Sequence, residues 1–271
     1  MKVLILGSGP SVVNARNWPR DPFDLIVTIN NAWQLRPDRD ILVHPEDFPS
    51  ERRPTTITPG QRVIGANDYV PANNVHGGII YAGGTMAFST GYWVLETLRP
   101  RVVAYFGCDM VYRGKNTRFY GAGTADPLRA DPTLQDLHAK SSRLELIAAY
   151  SGCAVVNLSQ EETRLSFVRS DRADCERITV PKIDRVAVET ARAAEKQLGA
   201  YCPSGCYWED PLLDATSLAK IDALWSTAWR VSRDLGACWC VNDMDATPNG
   251  TDASRCATES PASAKPISKL C

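Results

Sequence analysis

A chain of 271 residues with 44% hydrophobic content is long enough to bury a core and suggests one main domain with a smaller part attached. Its 30 Lys+Arg against 31 Asp+Glu leave a formal net charge of -1, so no overall field draws it to nucleic acid or to an anionic membrane surface. No apolar run approaches the ~20 residues of a membrane span, and the first apolar segment lacks the architecture of a signal peptide, which together read as a cytoplasmic protein.

Val3-Leu4-Ile5-Leu6 predicts a strand that runs directly into Gly7-Ser8-Gly9-Pro10-Ser11 and then a helix start. Such a turn offers free backbone N–H groups and a positive dipole end at the strand's carboxyl edge, where a phosphate fits. The two glycines let the backbone come close and take positive φ, Pro10 suits the first helical position, and Ser8 or Ser11 can cap. No third glycine follows at the dinucleotide spacing and no acidic residue clearly ends the second strand, so the motif favours a nucleotide over a dinucleotide.

Asp24 to Ile29 predicts a strand ending at Asn30-Asn31, and Asp40 to Val43 a short one ending at His44-Pro45, beside Glu46 and Asp47. Ile79-Ile80-Tyr81 reads as a strand leading into Gly83-Gly84-Thr85 and a helix to about Leu98. Arg101 to Phe106 is strongly apolar and stops at Gly107-Cys108-Asp109. Each strand thus ends in polar or glycine residues at the edge where open α/β sheets bind ligands, and Asp109 reads as a functional carboxylate there. A loop from Met110 to Ala130 follows, rich in glycine, aromatic and basic residues, among them Tyr112, Arg113, Lys115, Arg118, Phe119 and Tyr120. Loops of that length in compact domains usually carry function or are disordered.

Asp131-Pro132 caps a predicted helix from Thr133 to Ser151, with Leu134, Leu137, Ser141, Leu144 and Ala148 as its buried stripe and Gln135, His138, Ser142 and Glu145 on a polar face. Cys153 to Asn157 is the last predicted strand. Helices follow from Asp184 to Leu198 and from Thr216 to Leu235, and the Ser/Thr/Ala/Pro-rich tail after Asp243 reads as disordered. The predicted fold is therefore α/β, a Rossmann-like mostly parallel sheet with helices on both faces and a helical C-terminal appendage. Its division is 1–170 for nucleotide binding, 171–242 for the appendage and 243–271 for the tail. Of 9 cysteines, Cys108 and Cys153 read as core residues. Cys202 and Cys206 with Cys238 and Cys240 lack the two-residue gap of a zinc knuckle, so free thiols and no metal site are the expectation.

Gly7-Ser8-Gly9-Pro10-Ser11, the strand ending in Asn30, Gly84-Thr85 before a helix, Gly107-Cys108-Asp109-Met110-Val111-Tyr112 and Leu137-His138-Ala139-Lys140-Ser141 together resemble the bacterial sialyltransferase family that uses CMP-sialic acid. The resemblance covers roughly residues 1–168. It implies a nucleotide sugar and a hydroxyl-bearing acceptor as substrates, with no cofactor. It also implies Gly7, Ser8, Gly9 and Asn30 on the nucleotide, Tyr112 and Tyr120 on its phosphate, and His138 as general base. With Pro10, Ser11, Asn31, Gly84, Thr85 and Asp109 from the strand ends, these residues form the candidate site. A histidine on a polar helix face suits the base role because imidazole titrates close to physiological pH. The Gly-x-Gly-Pro-Ser start, Pro37-Asp38 and Gly107-Cys108-Asp109 also resemble the hydroxymethylpterin diphosphokinases, which implies transfer of a diphosphate from ATP with magnesium, for which Asp109, with Asp47 as a partner, is the candidate ligand. A non-catalytic nucleotide-binding or assembly protein is the third reading, which the Cys/Trp-rich C-terminal region leaves open.

Overall fold

The computed structural model describes residues 1–113, 116–121, 131–209 and 213–235. Seven strands form one sheet: β1 (Lys2–Leu6), β2 (Leu25–Ile29), β3 (Ile41–Val43), β4 (Arg62–Ile64), β5 (Val102–Phe106), β6 (Ala154–Asn157) and β7 (Val168–Arg169). Their order is β4-β3-β2-β1-β5-β6-β7, and every pairing is parallel. A parallel sheet is covered on both faces, which is why the central strands are apolar at most positions. Val3, Ile5, Val27, Val103 and Tyr105 enter one core, and Leu4, Leu6, Ile26, Val102, Ala104 and Phe106 enter the other.

The two faces are covered differently. All the α-helices contribute to the first core: α1 (Ala66–Val75), α2 (Ile79–Ala82), α3 (Met86–Leu98), α4 (Leu137–Tyr150), α5 (Arg185–Leu198) and α6 (Ala215–Asp234). The second is closed by 3₁₀ helices at Pro10–Asn17, Asn30–Gln34 and Arg172–Glu176, which supply Val12, Ala15, Ala32 and Cys175, and by Leu35 just after the second of them. Trp18 packs on Phe106 there, with ring centroids 4.5 Å apart.

Several predicted elements need correction. Ile79-Ile80-Tyr81 is a turn of helix, α2, not a strand. A short apolar run does not distinguish the two, and Gly77, Gly78 and Gly83, all at positive φ, bracket it as an isolated buried turn. The strand at this place in the sheet is β4, whose Arg62 and Val63 are exposed on the sheet's edge and so carry no apolar signal. Helix α1 contains Pro71, which argues against a helix on sequence grounds. The sheet also continues one strand past β6. The helix expected over 133–151 is divided: a 3₁₀ turn, Pro132–Leu134, precedes α4, which Asp136 caps by accepting from Ala139 N at 2.9 Å. Asp184 and Asp214 cap α5 and α6 in the same way, close to their expected starts.

In the stretch given to the appendage, helices α5 and α6 pack on the first core. Leu218, Ile221, Trp225 and Ala228 of α6 belong to the same apolar cluster as α3 and α4. The polar face expected on α4 is largely buried as well: Ser142 and Glu145 are enclosed, and only Gln135 and His138 of that set are exposed. Lys140 Nζ meets Asp222 Oδ1 at 2.8 Å, and Arg143 Nε meets Glu195 Oε1 at 2.6 Å. Glu145 accepts from Ser166 Oγ (2.8 Å), Trp229 Nε1 (2.9 Å) and Arg233 Nη2 (3.2 Å). The predicted tail lies outside the described residues, as do Cys238 and Cys240. Cys108 and Cys153 are buried in the core.

Burial pushes the Glu145 carboxyl from its ordinary 4.5 up to about 7, against the pull of Arg233, Ser166 and Trp229. The folded protein then holds a proton that the unfolded chain releases between those two values, so this group withdraws stability as the pH rises from about 4.5 to about 7. Glu145→Gln is expected to flatten that part of the profile. Melting temperatures of both proteins across pH 5 to 8 check it, and parallel curves for the two would contradict it.

Candidate active-site cleft

The strand order reverses between β1 and β5: the chain leaves β1 toward β2, β3 and β4 on one side and returns through β5, β6 and β7 on the other. At such a switch point the loops after the two strands diverge and leave a crevice at the carboxyl edge. A cleft of about 1280 Å³ opens there. Its walls include Gly7, Ser8, Gly9, Pro10, Ser11, Asn30, Asn31, Gly84, Thr85, Asp109, Tyr112 and Tyr120, so the residues singled out at five separate places in the sequence share one cavity. Ligand pockets usually run to ~300–1,000 Å³, which leaves room here for more than one substrate.

The glycine turn is built by close packing. Gly7 N donates to Phe106 O at 2.9 Å and Gly9 N to Gly107 O at 2.7 Å, which ties the turn after β1 to the turn after β5. A Cβ on Gly7 would lie 2.4 Å from both Cys108 Sγ and Gly107 O, and one on Gly9 would lie 2.8 Å from Gly107 O. Neither residue has positive φ. The expected reason for these glycines is therefore corrected: they admit the neighbouring turn, and the left-handed position is Gly107 at φ 71. Gly9 itself caps the 3₁₀ helix with Pro10 in its first turn, and neither Ser8 nor Ser11 makes a capping bond.

Two non-glycine residues on the cleft wall are also left-handed, Asn30 at φ 51 and Met110 at φ 56. Conformations of this kind cost of order 1–3 kcal/mol each and cluster at functional sites. Asn30 Oδ1 is sealed from solvent with no hydrogen-bond partner, and Asn31 is 3% exposed with no side-chain hydrogen bond among the described residues. Asp109 is fixed by Asn157 of β6, whose Nδ2 donates to Asp109 Oδ1 at 3.0 Å while its Oδ1 accepts from Ser159 N at 3.0 Å. That pair of bonds fixes which end of the Asn157 amide faces Asp109. The adjacent Cys108 thiol is pushed well above its ordinary range by burial and then by Asp109, which leaves it unsuited to act as a nucleophile.

The loop after β5 folds back onto the glycine turn through Phe119 N, which donates to Ser8 O at 3.1 Å. Tyr120 packs edge-on against Phe119, and the Arg118 guanidinium lies 4.4 Å over the Tyr112 ring. Gly84 and Thr85 have structural duties: Gly84 N donates to Thr133 Oγ1 at 3.0 Å, and Thr85 Oγ1 caps α3 from Phe88 N at 3.3 Å. Tyr207 OH donates to Asp131 Oδ2 at 2.6 Å and sits where a Gly84 Cβ would be, 1.9 Å away, so Pro203 to Trp208 form part of the cleft wall.

His138 does not line the cleft. It sits in the first turn of α4, exposed, with its ring edge-on to Trp229 of α6 at 5.0 Å. Its helix begins later than expected, and the ring packs against α6. His44 and His76 are also absent from the lining; His76 lies 3.4 Å from Glu96, and burial and then Arg143 hold it below its ordinary pKa. Sequence reasoning passed over Asn157, Tyr69 and Trp208 as site residues. Asn157 reads as a strand end, and the other two reach the cleft only through tertiary packing.

The fold is a doubly wound, Rossmann-like α/β sheet with a large cleft at its topological switch point. No family model, characterised protein or solved structure matches the chain. Among the described residues no helix is long and apolar enough to cross a membrane.

Proposed function

We propose that the protein is a glycosyltransferase that takes a sugar from a nucleotide donor and passes it to a hydroxyl-bearing acceptor, as the sialyltransferase resemblance implies. The observation that carries this reading is the seating of the loop after β5 on the glycine turn, with Arg118, Tyr112 and Tyr120 lining the same cleft as Gly7–Ser11. A nucleotide phosphate at that turn has a guanidinium and phenolic hydroxyls at hand as negative charge develops on it during departure. With His138 outside the cleft, Asp109 is the base best placed to take the acceptor proton, since it lies beside the turn and is oriented by Asn157.

The diphosphokinase resemblance would draw on Asp109 and Asp47 for magnesium. These follow β5 and β3, whose ends are three strand spacings, about 14 Å, apart. Among the described residues no group of three or more His, Cys, Asp or Glu is placed to hold a metal ion. The test is a melting-temperature screen of CMP, UDP, GDP and ATP with and without magnesium, in which a ligand at 100 times its Kd stabilises by about 2.7 kcal/mol. A cytidine or uridine nucleotide that raises the melting temperature without magnesium is the expected result. A shift confined to ATP with magnesium would replace this reading with phosphotransfer.

A further inference from the structure

The cleft extends well beyond the switch point. Its lining residues follow β4, β3, β2, β1, β5 and β6, six neighbouring strand ends that span about 24 Å. A nucleotide centred on β1 and β5 leaves the half over β3 and β4 open, and that half has a distinct chemistry. Glu46 and Asp47 are exposed on the loop after β3, and neither forms an ion pair among the described residues. The nearest arginines are otherwise disposed: Arg53 donates to the carbonyls of Phe48 and Glu46, and Arg52 lines the cleft without reaching either carboxylate within ion-pair distance.

Tyr69 of α1 is 7% exposed and lines the same half, yet its hydroxyl makes no hydrogen bond among the described residues. Burial pushes its pKa up to about 12, and the carboxylates of Glu46 and Asp47 add to the rise with no arginine offsetting them. The ionisable groups that act on that hydroxyl, Glu46, Asp47 and Cys206, are all acidic. On the remaining side stands Trp208, 69% exposed although it is part of the cleft wall. Its segment is anchored, by Tyr207 on Asp131, by Asn74 Nδ2 on Pro203 O at 2.9 Å, and by Gly205, whose Cβ position is 3.0 Å from both Val70 and Ile79. A bare indole held in place, two carboxylates without counter-ions and an unengaged buried phenol are the groups that together receive a cationic nitrogen.

We propose that the β3/β4 half of the cleft binds a positively charged amine, so that the second substrate carries an ammonium group as well as the hydroxyl that reacts. The site stands on the residues just named, and only its role as the acceptor side rests on the glycosyltransferase reading. A neutral polyol could also donate its hydroxyls to Glu46 and Asp47, so what separates the amine from it is charge: two carboxylates without a counter-ion attract an ammonium group and not a neutral one.

The test is saturation-transfer NMR on the full chain with pentylammonium and with pentanol, its neutral counterpart of equal length, at low salt. The ammonium is expected to bind at least about tenfold more tightly, with the preference shrinking as salt is raised. Glu46→Gln with Asp47→Asn should erase the preference, and Trp208→Ala should weaken the ammonium several-fold, with circular dichroism confirming the fold of each variant. Equal binding of the two probes, or a preference that survives the double substitution, would overturn the proposal. The nucleotide melting shift is recorded on the same samples. Ammonium preference without any nucleotide shift would refute the transferase reading and leave the cation site standing, and the reverse pattern would refute the cation site alone.

Discussion

Replacing Glu195 with alanine is expected to remove about 3–5 kcal/mol of folding stability, the usual consequence of leaving one member of a buried ion pair without its counter-charge. Glu195 is 6% exposed and accepts from Arg143 Nε at 2.6 Å, Arg143 Nη2 at 2.9 Å and Trp225 Nε1 at 2.6 Å. Arg143 is 1% exposed, and its other partners, Tyr92 OH and the His76 carbonyl, are neutral. Burial alone would lower the Arg143 pKa, and Glu195 more than reverses it, so the guanidinium stays charged at any pH at which the protein folds. Losing Glu195 therefore strands a charge in the core and also orphans the Trp225 N–H. Single domains have only 5–15 kcal/mol in reserve, so the loss is a large part of the whole. Urea unfolding followed by tryptophan fluorescence measures it, and a change below about 1 kcal/mol would show that water reaches Arg143 in solution. The double replacement Arg143→Met with Glu195→Leu should recover much of the loss, because apolar groups of similar volume avoid the desolvation cost of the pair.

That ion pair also marks the limit of what the sequence discloses. Strands β1, β2, β3, β5 and β6 are legible because parallel strands buried on both faces read as short apolar runs closed by glycine or polar residues. The carboxyl-edge residues are legible for the same reason: each strand's end is marked by the break in its apolar run, and the alternation of strand and helix sets those ends on one side of the sheet. Helix α4 defeats the same logic. Periodicity assigns Ser142 and Glu145 to solvent because it treats polar residues as exposed. Their burial, like that of Lys140 and Arg143, depends on Glu195, Asp222, Trp229 and Arg233, which lie 52 or more residues further along. No local pattern carries that information, so periodicity sets His138 on a polar face while the structure sets it against Trp229 of α6. Trp208 is hidden by the same kind of long-range contact, since its place on the cleft wall follows from Tyr207 reaching Asp131, 76 residues earlier.

The reassignment of the base leads to the prediction with the largest effect on activity. Asp109→Asn is expected to lower kcat by about 10²–10⁴, the usual contribution of a general base, with little change in KM for the nucleotide donor. Asparagine has nearly the same shape as aspartate and can still meet Asn157 through its amide, so the turn after β5 keeps its geometry while the proton acceptor is lost. His138→Ala should leave kcat within about twofold, because that ring stands outside the cleft against Trp229. Asn157→Leu separates positioning from chemistry: it leaves the carboxylate in place but removes the 3.0 Å bond that orients it. It should reduce kcat less than Asp109→Asn, because the proton acceptor is still present and only its orientation is lost. The assay is release of nucleotide from whichever nucleotide sugar the melting screen selects, followed with and without acceptor. An Asp109→Asn protein that keeps more than a tenth of the wild-type kcat, or a His138→Ala protein that loses a hundredfold, would return the base role to the histidine and require α4 to turn toward the cleft during turnover.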